Sequence, residues 1–246
     1  MRLESLHTVR IYNLGHTDAG EFYYAMELLK GLDIERLIER YGPVPPGRTI
    51  HFLTQACDSL AEAHALGQVH RDVKPSNLFI CKVGLSYDVL KVLDFGLVTR
   101  AGSEKARDLR LEGSEGLAGT PAYMAPEQVL ADTSIEERAD IYALGCVGYW
   151  LLSGNTVFDI DRPPVMAVAH VKAPPMPLSR RSEIAGPGDL EALIMRCLQK
   201  DPAGRPQSAE QLADELAKCR DSAGWLPPHA RDWWQRHRPL ETGDGS

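Results

Sequence analysis

Apolar and polar positions follow two different periods along this chain. Near the start, Thr8-Val9-Arg10-Ile11-Tyr12 and Phe22-Tyr23-Tyr24-Ala25-Met26-Glu27 are rich in β-branched and aromatic residues. The stretch Asn13–Gly20 between them is polar and carries two glycines, so the pattern predicts a β-hairpin with its turn over 13–20. From Asp33 the apolar spacing changes to three and four. Asp33–Arg40 reads as a short helix with Asp33 as N-cap, and Pro43, Pro45 and Pro46 separate it from the next. Ile50, Leu53, Cys57, Leu60 and Ala63 then fall on one face of a long helix over Arg48–Leu66, closed by Gly67. A short strand is predicted at Lys91-Val92-Leu93. Asp140–Leu152 is apolar nearly all round, as expected of a helix in the middle of a domain. Further helices are predicted over Pro163–Val171, along Leu190, Leu193, Ile194, Cys197 and Leu198, and from a capping box at Ser208-Ala209-Glu210-Gln211 through Leu212 and Leu216.

Composition narrows the class. The 246 residues are 43% hydrophobic and 25% charged, ordinary values for a globular chain. A formal charge of −7 disfavours nucleic acid or an anionic membrane surface as a general partner. In the last stretch Trp225, Trp233 and Trp234 alternate with Arg231, Arg236 and Arg238, and the overall charge favours packing of these rings onto the domain over nucleic-acid binding. Five cysteines stand singly, with no C-x-x-C pair, which points to free thiols in a reducing cytoplasm and away from a metal site. No signal-like core opens the chain, and the longest apolar run, Ile141–Leu152, is too short to span a bilayer.

Candidate chemistry concentrates in one stretch, Val69–Ile80. Its ends are apolar, and between them His70, Arg71, Asp72, Lys74 and Asn77 place an imidazole, two bases, an acid and an amide within eight residues. Asp94-Phe95-Gly96 follows, with Asp94 seventeen positions after Asn77, and Ala125-Pro126-Glu127 comes later. This ordered set resembles the H-R-D-x-K-x-x-N loop, the D-F-G turn and the A-P-E end of the eukaryotic-type (Hanks-type) serine/threonine protein kinases, in a bacterial style. The resemblance implies an α+β, protein-kinase-like fold with a mostly helical large lobe and a remnant β-hairpin of the small lobe. The implied units are residues 1–29 as small-lobe remnant and hinge, 30–222 as the large lobe, and 223–246 as a tail that packs on the lobe or is flexible.

The resemblance also implies roles. Asp72 would be the catalytic base that accepts the substrate hydroxyl's hydrogen bond, and Lys74 would stabilise the transferring phosphate. Asn77 and Asp94 would offer oxygens to Mg²⁺, which prefers hard ligands. Thr120, in Gly119–Glu127, would bond Asp72 and Lys74 and shape the acceptor site; such a Thr can also be a phosphosite. ATP would meet Met26 as gatekeeper, the backbone of Glu27 and Leu29 as hinge, and Phe79 as a further nucleotide-binding residue; Met26 as a plain core residue is the simpler alternative. His70 is expected to pack, not to act as a base, and Arg71 to pair with a phosphate on Thr99, Ser103 or Ser114. Asp140 would hold the backbone at His70 and Arg71, and Glu127 would pair with Arg205.

No G-x-G-x-x-G turn, strand lysine or partner glutamate can be placed ahead of the hairpin. The first ten residues resemble the tail of the helix that would carry that glutamate. Little activity and weak ATP binding are therefore expected of these 246 residues alone. The leading expectation is a cytoplasmic serine/threonine protein kinase using ATP and Mg²⁺ on protein substrates. The alternatives are a non-catalytic kinase-like interaction module and, less well matched by the Thr120–Glu127 segment, phosphotransfer to a small molecule.

Overall fold

The structure, a computed structural model, describes residues 3–17, 20–95, 121–132, 135–181 and 188–237, except for the Phe22 side chain. Strands β1 (Ile11–His16) and β2 (Phe22–Met26) form an antiparallel hairpin. A second antiparallel sheet, in the order β3 (Gly31–Asp33), β4 (Leu78–Val83), β5 (Ser86–Val92), lies against the helical body. The helices are α1 (Ile34–Tyr41), α2 (Pro46–Ala65), α3 (Pro126–Val129), α4 (Arg138–Ser153), α5 (Pro163–Lys172), α6 (Gly188–Cys197), α7 (Ala209–Lys218) and α8 (Pro227–His237).

The helical part follows the apolar spacing. Asp33 caps α1, its side chain accepting from the Arg36 N–H at 2.7 Å. Along α2 the expected face of Ile50, Leu53, Cys57, Leu60 and Ala63 is buried, against α4 and α7. That helix ends in a Schellman motif: Gln68 N–H donates to the Ala63 carbonyl and Gly67 N–H to that of His64. Gly67 sits at φ +70°, a conformation that costs glycine nothing. α4 is buried on nearly every side, and α6 packs against it. Full burial of side chains such as Phe52, Leu60, Ile141 and Leu144 contributes roughly 1.5–3 kcal/mol each. At α7, Ser208 accepts from Gln211 N–H as expected, but the Gln211 side chain accepts from Gln207 N–H, one residue earlier than a capping box would place it.

Four expectations change. β1 begins at Ile11 and runs to His16, so residues 13–16, expected in the turn, belong to the strand. Gly15 pairs with Tyr23 in the hairpin ladder, and a Cβ there would sit 2.9 Å from the Tyr23 ring. Residues 3–10 are not helical: Val9 N–H donates to the Val92 carbonyl, Val92 N–H donates to that of His7, and Thr8 forms a parallel bridge to Val92. The strand expected at Lys91–Leu93 is the end of the longer β5, paired with β4 along its length. Its interior carries Asp88, a residue whose charge and φ of +55° contradict a strand pattern.

Asp88 is fully buried because partners from distant parts of the chain converge on it. Arg48 Nε and Nη2 donate to its carboxylate at 2.9 and 2.8 Å, and Trp225 Nε1 and Trp234 Nε1 donate at 2.9 and 2.7 Å. The Arg48 guanidinium also lies 4.0 Å from the Trp233 ring centroid. Residues 225–237 are in this way fixed to β5 and to the start of α2.

Candidate active site

Residues 69–74 form a loop that leads through a 3-10 turn at Pro75–Asn77 into β4, and this loop is held from behind. Asp140, at the start of α4, accepts from His70 N–H and Arg71 N–H, both at 2.8 Å, as the family resemblance implies. It also accepts from His64 Nε2 at 2.8 Å, a partner the sequence reading missed. The Arg71 carbonyl is held from the other side by Gln128 Nε2 at 2.8 Å, and Gln128 Oε1 accepts from Ala125 N–H. Arg71 itself sits at φ +67°, a left-handed conformation that a non-glycine residue keeps only when its surroundings enforce it. Asp140 and Gln128 are those surroundings.

His70 is buried and packs, as expected. Asp72 N–H donates to its Nδ1 at 3.2 Å, which fixes the tautomer and lets Nε2–H donate to the Leu93 carbonyl at 2.8 Å. Its ring meets Phe95 edge-on at 4.8 Å. The imidazole thus ties the loop to the Asp94 turn.

Asp72 is the point of convergence. Lys74 Nζ stands 2.9 Å from Asp72 Oδ2, and Asn77 Nδ2 donates to the Asp72 carbonyl at 2.8 Å and to Oδ2 at 3.1 Å. With its nitrogen engaged on Asp72, the Asn77 amide presents its oxygen to the opposite side. Leu93 N–H donates to the Asn77 carbonyl at 2.9 Å, which brings Asp94 beside it. Asp94 is exposed at φ +57° and accepts from the Tyr24 hydroxyl at 3.4 Å. Burial, then the Asp94 charge, raises the Tyr24 phenol above its ordinary value.

On the hairpin side, Met26 is 44% exposed and is not a core residue. Residues 27–30 run between β2 and β3 outside any regular element, with Leu28 exposed and Leu29 half-buried. Glu27 Oε1 accepts from Lys91 Nζ and from Arg10 N–H, both at 2.9 Å. Burial alone would raise the Glu27 carboxyl, and the bonds from Lys91 and Arg10 outweigh it, so the group lies below its usual value. Phe79 is half-buried on β4, directly opposite Lys91 in the ladder. Gly96, Thr99, Ser103, Ser114, Gly119 and Thr120 lie outside the described residues.

The end of the segment is anchored by Glu127 and Arg205. Arg205 Nη1 and Nη2 donate to the two carboxylate oxygens at 2.6 and 2.8 Å. Its other three N–H groups go to the carbonyls of Arg138, Lys200 and Gln199, so all five donors of a fully buried guanidinium are satisfied.

The protein kinase domain family model matches residues 1–216. The chain belongs to the protein kinase family. Among curated proteins this kinase is 34% identical to serine/threonine-protein kinase pkn3 of Myxococcus xanthus, over 87% of its own length and 39% of that protein. It is also 34% identical to serine/threonine-protein kinase PknB of Mycobacterium tuberculosis, over 90% of its length and 34% of that protein. It therefore spans well under half the length of these curated relatives. The kinase domain of PknI from Mycobacterium tuberculosis shares the fold, with a TM-score of 0.65 at 25% identity, covering 88% of this chain and 73% of that one.

Proposed function

We propose that this kinase transfers the γ-phosphate of ATP to serine or threonine hydroxyls of protein substrates, with Asp72 as catalytic base. The observation that carries the reading is the convergence of Lys74 and Asn77 on Asp72, with Asp94 tethered alongside through Leu93 and Asn77.

The chemistry follows from those groups. Asp72 accepts the hydrogen bond of the acceptor hydroxyl, aligns its oxygen and takes up its proton. Lys74 holds Asp72 in place and neutralises charge on the phosphoryl group in transit. The donor set fits Mg²⁺: the Asn77 amide points its nitrogen at Asp72, leaving a hard oxygen, and Asp94 adds a carboxylate. When bound, the ion would neutralise negative charge on the phosphates. Met26, the backbone of Glu27 and Leu29, and Phe79 surround the adenine in this reading, and Thr120 completes the acceptor side by resemblance.

No described helix is long and apolar enough to cross a membrane. All five cysteines are buried and free, which supports a cytoplasmic setting.

The test is transfer of radiolabel from γ-labelled ATP to dephosphorylated casein, with phosphoamino-acid analysis. Label on serine or threonine that disappears with Asp72→Asn is expected. Label on tyrosine, or transfer that survives Asp72→Asn, overturns the reading.

A further inference from the structure

The proposed nucleotide site draws on both sheets, and one side chain joins them. Lys91 sits on β5 opposite Phe79. Residues directly opposite in an antiparallel pair share a face, so the lysine rises beside the Phe79 ring proposed to meet the adenine. Its Nζ donates to Glu27 Oε1 at 2.9 Å and to the Thr8 carbonyl at 3.4 Å. The same Glu27 oxygen accepts from Arg10 N–H, and Glu27 N–H donates to the Arg10 carbonyl, both at 2.9 Å. One carboxylate thus links β5, the segment leading into β1, and the first residue of the 27–30 connection. Lys91 is only 8% exposed. A buried ion pair is weak evidence for stability, because desolvation offsets the attraction. What this pair does provide is a fixed position for Glu27, where the connection begins.

We propose that Lys91 is a positioning residue for the adenine subsite: by holding Glu27 it fixes the backbone groups of residues 27–29 that meet the base. This rests on the kinase reading above. Lys91 then sets affinity for the adenine moiety, whereas Asp94 and Asn77 set the dependence on metal and phosphate. Lys91→Met and Glu27→Gln each break the clamp from one side, and Lys91→Arg restores a cation.

The test measures two things on the full 246-residue chain. One is amide hydrogen exchange over residues 26–30, with α2 as the folding control. The other is calorimetric affinity for adenosine, which has no phosphate, beside Mg²⁺·ATP. Lys91→Met and Glu27→Gln should speed exchange over 26–30 about tenfold, leave α2 protected, and weaken adenosine about tenfold. Lys91→Arg should recover most of both. Asp94→Asn should leave adenosine unchanged and remove the Mg²⁺ dependence of ATP binding. Unchanged adenosine affinity in Lys91→Met, with or without faster exchange, overturns the clamp while a Mg²⁺ effect lost in Asp94→Asn leaves the kinase reading standing. A wild-type chain that binds neither ligand overturns the nucleotide site itself and the clamp with it.

Discussion

A single amide nitrogen, that of Asn77, donates to both the carbonyl and the carboxylate of Asp72, at 2.8 and 3.1 Å. The proposed base and the proposed metal ligand are therefore one rigid unit. Replacing Asn77 with Ala frees the Asp72 carboxylate and removes an oxygen ligand together. Phosphate transfer should fall by ~10²–10³, the usual cost of losing one preorganised electrostatic contact, and half-saturation by Mg²⁺ should move to higher concentration. Steady-state transfer across a Mg²⁺ series measures both, and an unshifted Mg²⁺ midpoint would separate Asn77 from the metal.

Glu127 carries a different burden. It neutralises a guanidinium with no exposed side-chain surface, so Glu127→Ala leaves an uncompensated buried charge. Loss of about 3–5 kcal/mol is expected from urea unfolding. Truncation of an exposed residue such as Leu130 should cost under about 0.5 kcal/mol by the same measurement.

Asp88→Asn should release α8. Arg48 loses its carboxylate, and the indole N–H groups of Trp225 and Trp234 lose a charged acceptor. Tryptophan emission should shift to the red and become more open to acrylamide quenching, with α2 and α4 still folded by circular dichroism. An unaltered spectrum would mean that apolar contacts alone hold the helix.

His170 gives a pH signature. Burial, reinforced by nearby Lys200, pushes its imidazole down from 6.5 to about 3, and the Tyr142 hydroxyl lies 2.9 Å from its Nδ1. Between those values the unfolded chain binds a proton that the native chain does not. Stability should therefore fall as pH drops from about 6.5 towards 3, by at most about 1.4 kcal/mol per pH unit from this group. His170→Phe should flatten that part of the curve in urea titrations between pH 6.5 and 4.5. A slope identical in wild type and variant would assign the acid sensitivity elsewhere.

Legibility in the sequence followed the range of the interactions. The Asp33 cap, the buried face of α2 and the Gly67 stop are set by residues within a few positions of each other, and local spacing reveals them. Asp140 and the Glu127–Arg205 pair are distant contacts, and they could be named only because the chain resembles a family that has them. Asp88 defeated the pattern: an acid inside a strand reads as a turn until Arg48, 40 positions away, and Trp234, 146 positions away, are seen around it. His64, Gln128 and Lys91 were missed for a related reason. Each is an ordinary polar residue on a helix or strand, and only its partner in space distinguishes it.

The central claim is that Asp94 and Asn77 make a metal-dependent nucleotide site on this chain. Titration of ATP onto the purified protein, with and without Mg²⁺ and with Asp94→Asn in parallel, tests it most directly. Weak but saturable binding that needs Mg²⁺ and is lost in the variant is the predicted result. Binding of equal strength without the metal, or in Asp94→Asn, would contradict it.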